Sequence, residues 1–252
     1  MNMLKFKTVV PLILLVVLTM SVTIFTETRA QTPAVDPAAT EILKRMTNYL
    51  GSLKQFSVHT QNTLEDELDS GHRIDLDVSA SVTVSRPNKI RAERKGDLVD
   101  QVFYYNGTTL TLYNPSSNVY ATEPASDTFE EMFIYLYDTL GFGTPISDLV
   151  YSDSFPLLMK DVIFAAVIGK SFINGVKCDH LLFSRPGVDF QVWVSEGSKP
   201  LPLKYVVTDT TIAGLMSVVT IMSDWNVAPA VDDDEFTFVP PKGVQKINFM
   251  PF

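Results

Sequence analysis

The chain has 252 residues, of which 46% are hydrophobic, and its formal net charge at pH 7 is −9. An acidic surface of this kind repels nucleic acid and anionic lipid head groups, which argues against a nucleic-acid-binding protein. The chain holds one cysteine, so an internal disulfide is excluded and stability must come from the burial of apolar side chains.

The first thirty residues predict a secretory leader. Lys5 and Lys7 precede an uncharged apolar stretch over residues 8–25, and Thr28-Arg29-Ala30 then places small residues at both signal-peptidase positions. We expect cleavage after Ala30, which leaves residues 31–252 as one domain in the periplasm. Because the apolar stretch is slightly longer than a usual leader, an uncleaved inner-membrane anchor is the alternative.

An amphipathic helix is predicted to open the mature part. Asp36-Pro37 supplies an N-cap followed by proline at the first helical position, and apolar residues recur at helical spacing until Gly51 and Lys54. The spacing then changes to strict alternation over residues 74–85, which predicts a long, half-buried antiparallel strand. Arg86-Pro87-Asn88 predicts a turn into a return strand over residues 89–95.

The hairpin pattern repeats further along the chain. Strand-like runs at residues 99–105, 108–113 and 119–122 are separated by Asn106-Gly107 and Asn114-Pro115-Ser116, which are turn sequences. The sequence therefore predicts a meander here.

A second helix is predicted where Asp127 precedes Glu130 by three residues, as in a capping box. Its apolar residues recur at helical spacing until Gly141 and are Phe129, Met132, Phe133, Leu136 and Leu140. Residues 155–168 are apolar on almost every side and are predicted to begin as helix and continue as strand. Five more strands are predicted at residues 177–184, 188–195, 203–208, 215–225 and 236–238.

Two helices and about ten antiparallel strands indicate an α+β protein. So many strands must curl or close to protect their edges, and a curled sheet with one apolar face needs a cover, which the helices can provide.

The titratable residues favour no catalytic site. The three histidines are dispersed and form no zinc-binding signature, and phosphate loops, dinucleotide fingerprints and nucleophile elbows are absent from the sequence. Cys178 and His180 would point to one side of a strand, but a thiol nucleophile also needs an orienting third group, so we expect Cys178 to be a small buried hydrophobe. The acidic residues 232–235 and 65–69 are interpreted as a solvated turn and an exposed hairpin. We therefore expect no enzyme, no metal and no cofactor.

The strongest pattern is apolar. Phe129, Met132, Phe133 and Leu136 lie on one face of the second helix, and methionine and phenylalanine adapt well to an irregular, flexible ligand. The same pattern is typical of an ordinary packed core, so pattern alone leaves both interpretations open.

Four strings occur in a fixed order along the mature chain. They are Leu53-Lys54-Gln55-Phe56, Ser85-Arg86-Pro87-Asn88, Tyr105 to Pro115, and Phe236 to Val244. In this order they resemble the LolA-type periplasmic lipoprotein carriers and, more nearly, a related group of predicted periplasmic proteins of unknown function.

The resemblance implies an unclosed antiparallel half-barrel whose apolar inner face is covered by helices and holds the acyl chains of a lipoprotein. It also implies that the arginine of the Arg-Pro turn, here Arg86, latches the helical cover by hydrogen bonds. On this basis the predicted ligand-contacting residues are Arg86, Leu76, Val78, Val82, Phe129, Met132, Phe133 and Leu136.

The expected function is a non-enzymatic, monomeric periplasmic binding protein for lipid or acylated, lipoprotein-like cargo. Leu112 stands where the carriers commonly have tryptophan, and residues 127–169 have a pattern of their own, so the cargo stays open. The alternative is an envelope protein-interaction or stress-sensing domain on the same scaffold.

Overall fold

The computed structural model describes residues 34–97, 99–140, 146–212, 214 and 216–249. The predicted leader and its cleavage site lie outside these residues. The described helices are α1 Pro37–Ser52, α2 Phe129–Asp138, α3 Ser147–Val150, α4 Ser154–Met159 and a 3₁₀ helix Asp233–Phe236. The described strands are β1 Gln55–Glu67, β2 Arg73–Ser85, β3 Lys89–Gly96, β4 Asp100–Tyr105, β5 Thr109–Asn114, β6 Val119–Pro124, β7 Phe164–Ile173, β8 Val176–Arg185, β9 Val188–Ser195, β10 Pro202–Asp209, β11 Ser217–Asn226 and β12 Gln245–Lys246.

The described strands form one sheet in the order β12-β6-β5-β4-β3-β2-β1-β11-β10-β9-β8-β7. It consists of two antiparallel meanders, β1–β6 and β7–β11, joined where β1 pairs with β11. The short β12 pairs with β6 in parallel. Because β12 and β7 end the order and do not pair with each other, the sheet is unclosed. The predicted α+β half-barrel is confirmed.

The longest hairpin, β1–β2, follows from the alternation in the sequence. Thirteen residue pairs run in unbroken register from Gln55↔Ser85 to Glu67↔Arg73. Val78, Val82 and Val84 on the inner face are buried, whereas Ser79, Ser81 and Thr83 between them are partly or fully exposed on the outer face. A half-buried strand shows this period of two.

The helices cover the inner face. The side chain of Asp36 caps α1 by accepting from the Ala38 amide at 2.8 Å, as predicted. Leu43, Met46 and Leu50 of α1 are at most 1% exposed and belong to the same core cluster as the inner residues of the sheet. The region around residues 155–168 is confirmed as helix followed by strand, namely α4 and β7.

Two local predictions are wrong. The N-cap of α2 is Thr128, whose side chain accepts from the Glu131 amide at 3.3 Å, and not Asp127. Residues 236–238 are not a strand, because Phe236 ends a 3₁₀ helix and is buried there. The described chain also has the four-residue helix α3, which was not predicted. Such short helices have too few residues for a helical period to appear in the sequence.

The C-terminal segment packs on the outer face. The ring of Phe238 lies 5.0 to 5.4 Å from the rings of Tyr104, Tyr113 and Tyr120, which project outward from β4, β5 and β6. The outer face of these strands is thus partly covered by the tail, whereas their inner face looks toward the helices.

Candidate functional site: an apolar hollow beneath the helices

A hollow lies between the inner face of β1–β5 and the cover formed by α2 and α3. The strands contribute alternate residues, because every second side chain of a strand points to the same face. The lining residues are Thr60, Asn62 and Leu64 of β1, Val78, Ala80 and Val82 of β2, Ile90, Ala92 and Arg94 of β3, Phe103 of β4, Leu112 of β5, Phe133 and Leu136 of α2, and Ile146, Ser147 and Val150.

The hollow has a volume of about 100 Å³. All empty space between its lining atoms, including the space that is open to the solvent, is about 850 Å³. Preformed sites for drug-sized ligands have about 300–1,000 Å³. The closed part of the hollow therefore has room for a short stretch of an alkyl chain, and the rest of the inner face is filled by the protein's own side chains.

One polar network lies at the wall of the hollow. The Asn62 amide nitrogen donates to Thr60 Oγ1 at 2.9 Å and to the Val78 carbonyl at 3.0 Å, and the Thr220 hydroxyl donates to Asn62 Oδ1 at 2.8 Å. These buried polar atoms have partners, so the network adds little polarity to the hollow.

Arg86 connects the strand hairpin to two helices. It begins the β2–β3 turn, and its guanidinium donates to the Leu53 carbonyl at 3.0 Å and to the Leu50 carbonyl at 3.3 Å, both at the end of α1. It also donates to the carbonyl of Val150, the last residue of α3. Burial lowers the pKa of Arg86 to about 10. The geometry is that of a bridge between sheet and cover.

A second anchor holds the entry of α2. The Tyr105 hydroxyl donates to the Ser126 carbonyl at 2.7 Å, and the Asn88 amide donates to the Asp127 carbonyl at 3.0 Å. Gly107 is required beside Asn88, because its φ is +86° and a Cβ there would lie 2.5 Å from the Asn88 amide nitrogen. The Arg-Pro-Asn turn and the Tyr-Asn-Gly hairpin, separate in sequence, thus meet at the base of the cover.

Four of the predicted ligand-contacting residues line the hollow, namely Val78, Val82, Phe133 and Leu136. Phe129 and Met132, which are 5% and 1% exposed, belong to the same core cluster as Phe133 and Leu136 but are not among the lining residues. Their role in binding stays a prediction.

The two remaining predicted residues flank the hollow. Leu76 continues the inner face of β2 toward the rim, opposite Leu64 of β1. Arg86 holds the cover and is not among the lining residues.

Sequence reasoning missed the contribution of β3, β4 and β5. Ile90, Ala92 and Arg94 alternate along β3, and Phe103 and Leu112 face them from the next two strands. The alternation in each strand was a usable signal, but which parity faces inward depends on the register with β2. That register is a tertiary feature.

The thiol and imidazole candidates lie on the opposite face of the sheet. Cys178 is fully buried there and burial raises the pKa of its thiol, whereas the His180 ring stacks on Trp193 at 3.9 Å and hydrogen-bonds Gln191 at 2.9 Å. The interpretation of Cys178 as a small buried hydrophobe is confirmed.

The structure shows no grouping of ligands for a metal within the residues that it describes. There, no three side chains of His, Cys, Asp or Glu come together in a way that could hold a metal ion. Asp233, in the acidic turn, pairs with Lys89 at 2.6 Å, and Glu65, in the β1–β2 hairpin, pairs with Arg73 at 3.1 Å.

In the part of the chain that the structure describes, no helix combines the length and the apolar character needed to cross a membrane.

Several solved structures are similar to this chain at low identity. An uncharacterized conserved protein from Thermus thermophilus has a TM-score of 0.49 and 13% identity, with 84% of this chain and 99% of that chain covered. The lipoprotein LppX of Mycobacterium tuberculosis has a TM-score of 0.44 and 14% identity, with 78% and 100% covered. A LolA superfamily protein from Nitrosomonas europaea has a TM-score of 0.41 and 13% identity, with 79% and 97% covered. Similarities at this level say nothing about what this chain binds.

Sequence comparison gives a clearer result. No curated protein sequence matches the chain significantly. A family model described as "Predicted periplasmic protein" matches residues 39–250, which is nearly all of the described structure. The match confirms the resemblance to a group of predicted periplasmic proteins and agrees with the expected export. The chain belongs to this family of predicted periplasmic proteins, DUF2092.

Proposed function

We propose that the protein is a non-enzymatic periplasmic binding protein that carries lipid or acylated cargo in the hollow beneath α2 and α3. The observation that carries the proposal is a space walled mainly by apolar side chains between an unclosed sheet and its helical cover. Each methylene of a ligand moved from water into such a space contributes about 0.8 kcal/mol. A short alkyl stretch therefore binds measurably even in the closed form.

Admission of a whole acyl chain requires the cover to move outward, because the closed volume of about 100 Å³ is below that of preformed ligand sites. Polar anchors hold the ends of the cover, namely Tyr105 and Asn88 at the entry of α2 and Arg86 at the end of α3. Within α2, the Tyr135 hydroxyl also donates to Glu123 of β6. The buried face of α2 in between consists of apolar residues. Apolar contacts are non-directional, so α2 can shift and exchange them for contacts with cargo.

Native mass spectrometry tests the proposal. Protein prepared from the periplasm of a lipid-containing host is expected to carry lipid, identified by its mass after extraction. Ala92→Phe adds a ring inside the hollow and is expected to reduce the lipid-bound fraction several-fold. The matched control is Ala166→Phe, on the outer face of β7, which is expected to leave the lipid-bound fraction unchanged.

Two results would contradict the proposal. One is wild-type protein that carries no lipid and binds no added alkyl chain. The other is an equal lipid-bound fraction in wild type and in Ala92→Phe, since lipid would then lie elsewhere.

A second candidate function is an envelope protein-interaction or stress-sensing domain. It is favoured by the edge strand β7, which exposes 52% of Ile168 and 67% of Phe172. Ala34 and Asp36 hydrogen-bond the main chain of Ala165 at the start of this edge. Beyond that point an extended segment of another protein can add to the sheet edge.

The two functions predict different effects of Phe172→Lys. An interaction domain would lose a captured envelope protein in a pull-down while its lipid content stays the same. A carrier would keep its lipid, and neither the wild-type protein nor Phe172→Lys would capture a protein.

A further inference from the structure

Arg94 is a charged residue in the wall of an otherwise largely apolar hollow. It follows Ile90 and Ala92 on the inner face of β3, with Ala80 of β2 on one side and Gln101 of β4 on the other. It is partly buried, and burial lowers the pKa of its guanidinium. Arginine nevertheless keeps its proton at neutral pH, so one residue that lines the hollow carries a positive charge.

The guanidinium of Arg94 has no partner among the residues that the structure describes. Two other arginines of the sheet have one: Arg73 pairs with Glu65 at 3.1 Å, and Arg91 pairs with Glu93 at 3.0 Å. Arg94 takes part in none of the ion pairs or hydrogen bonds formed between described residues. Partial burial of a charged group without a partner costs free energy, which a bound anion would offset.

Charge and apolar surface meet within one site. Val78, Phe103 and Leu112 line the hollow together with Arg94. A guanidinium forms two parallel hydrogen bonds with a carboxylate or a phosphate, and such charge-assisted bonds are about twice as strong as neutral ones. A ligand with an alkyl chain and an anionic oxygen head group satisfies both parts of the site.

We propose that the cargo is a long-chain amphiphile with an anionic head group, a carboxylate or a phosphate, which pairs with Arg94 while its alkyl chain occupies the hollow. This inference rests on the proposed carrier function and narrows its cargo. The ester- and amide-linked acyl chains of a lipoprotein are neutral and leave Arg94 unpaired. The acidic exterior repels anions. A preference for an anionic head group must therefore come from Arg94 at the hollow.

The experiment compares three probes that share a sixteen-carbon chain: palmitate, hexadecyl phosphate and hexadecanol. The full chain is expressed with its own leader and delipidated, and affinities are measured by calorimetry at pH 8 in about 0.15 M salt, which screens the exposed charges. Wild-type protein is expected to bind palmitate or hexadecyl phosphate about 10- to 100-fold more tightly than hexadecanol, the range of one hydrogen bond to a charged group. The tighter of the two anions identifies the head group as carboxylate or phosphate.

Arg94→Gln removes the charge, and Arg91→Gln is its matched control. Arg91 lies on the outer face of the same strand, so the control changes net charge equally without altering the hollow. Arg94→Gln is expected to bind all three probes with the affinity of hexadecanol, whereas Arg91→Gln keeps the wild-type preference. The thermal midpoint of ligand-free Arg94→Gln is expected to equal or exceed that of wild type, because the described residues offer Arg94 no partner that the substitution would remove.

The possible failures are distinguishable. Wild-type protein that binds hexadecanol as tightly as the two anions overturns the role of Arg94 and leaves the carrier function standing. A preference for the two anions that survives in Arg94→Gln also overturns the role of Arg94 and leaves the carrier function standing. Wild-type protein that binds none of the three probes overturns the carrier function together with this inference.

Discussion

At the scale of single residues, Arg86 joins sheet and cover through main-chain oxygens. Its three acceptors are the carbonyls of Leu50, Leu53 and Val150, and its guanidinium also lies 5.6 Å from the ring centre of Phe56. These acceptors lie at the end of α1, directly after it and at the end of α3. One side chain of the β2–β3 turn therefore connects the sheet with α1 and with α3. The hydrogen-bonding role implied for Arg86 by the resemblance has a geometric counterpart here.

Arg86→Met is expected to lower the free energy of unfolding by about 2 kcal/mol, because hydrogen bonds to a charged donor are lost and carbonyls are left with fewer partners. Arg86→Lys restores a charge but not the planar fork, so an intermediate loss is expected. Urea denaturation monitored by tryptophan fluorescence measures both. The exposed Arg45 of α1 provides the control Arg45→Met, with a change below about 0.5 kcal/mol. Equal midpoints for Arg86→Met and Arg45→Met would disprove the bridging role.

At the scale of elements, α2 shows how a cap is chosen. Asp127 and Thr128 are both good N-cap residues, and each is followed three residues later by a glutamate, Glu130 or Glu131. The carbonyl of Asp127 is held by Asn88, and Thr128 takes the cap with φ −119° and ψ 148°. The sheet therefore determines where the helix begins.

Thr128→Ala is expected to lower the free energy of unfolding by about 1 kcal/mol, the usual cost of a lost N-cap. Asp127→Ala keeps the main-chain carbonyl that Asn88 uses, so a much smaller change is expected. Thermal and urea unfolding of the two variants, measured side by side, decide the point. A larger loss for Asp127→Ala would mean that the helix starts one residue earlier.

The tail on the outer face is an element without regular structure. Phe238→Ala removes contacts with three tyrosine rings and is expected to cost about 2 kcal/mol, since each aromatic pair contributes about 0.5–1.5 kcal/mol. Val239→Ala, at a side chain that is 78% exposed, is the control with little effect. Limited proteolysis is expected to cut the tail faster in Phe238→Ala alone. Equal rates in both variants would show that the ring does not anchor the tail.

At the scale of the whole molecule, the burial of Tyr105, Tyr151 and Tyr205 couples stability to alkaline pH. Burial is the largest cause that raises the pKa of Tyr105 and Tyr151 to about 12, and burial also raises the pKa of Tyr205. Tyrosine in an unfolded chain ionises near pH 10. Between pH 10 and 12 the folded protein therefore keeps protons that the unfolded chain has released.

The free energy of unfolding is accordingly expected to be insensitive to these tyrosines below pH 10 and to fall as the pH rises from 10 to 12. Tyr105→Phe is expected to make this fall shallower, and Tyr137→Phe, at a side chain that is 71% exposed, is expected not to change it. Urea unfolding at half-unit pH steps tests this. An identical alkaline slope in wild type and Tyr105→Phe would contradict the assignment.

The site could be predicted only in part. Val78 and Val82 could be predicted because the alternation in β2 is long and unbroken. Phe133 and Leu136 could be predicted because they share one helical face. The position of Arg94 at the hollow could not be predicted, since a charged residue near the end of a short strand is normally exposed to solvent. Phe129 and Met132 share the helical pattern of Phe133, yet they do not line the hollow.

The sequence by itself determined the α+β class, the helix start at Asp36, the hairpin partners and the burial of Cys178, because these depend on local period, capping and turn chemistry. Only the tertiary structure decided that β1 pairs with β11, that two distant turns meet beneath the cover, and that the inner face keeps a hollow lined by an arginine without a partner among the described residues. The physical reason is that register and packing are properties of contacts between segments far apart in the chain, and no local pattern specifies which gaps those segments leave unfilled.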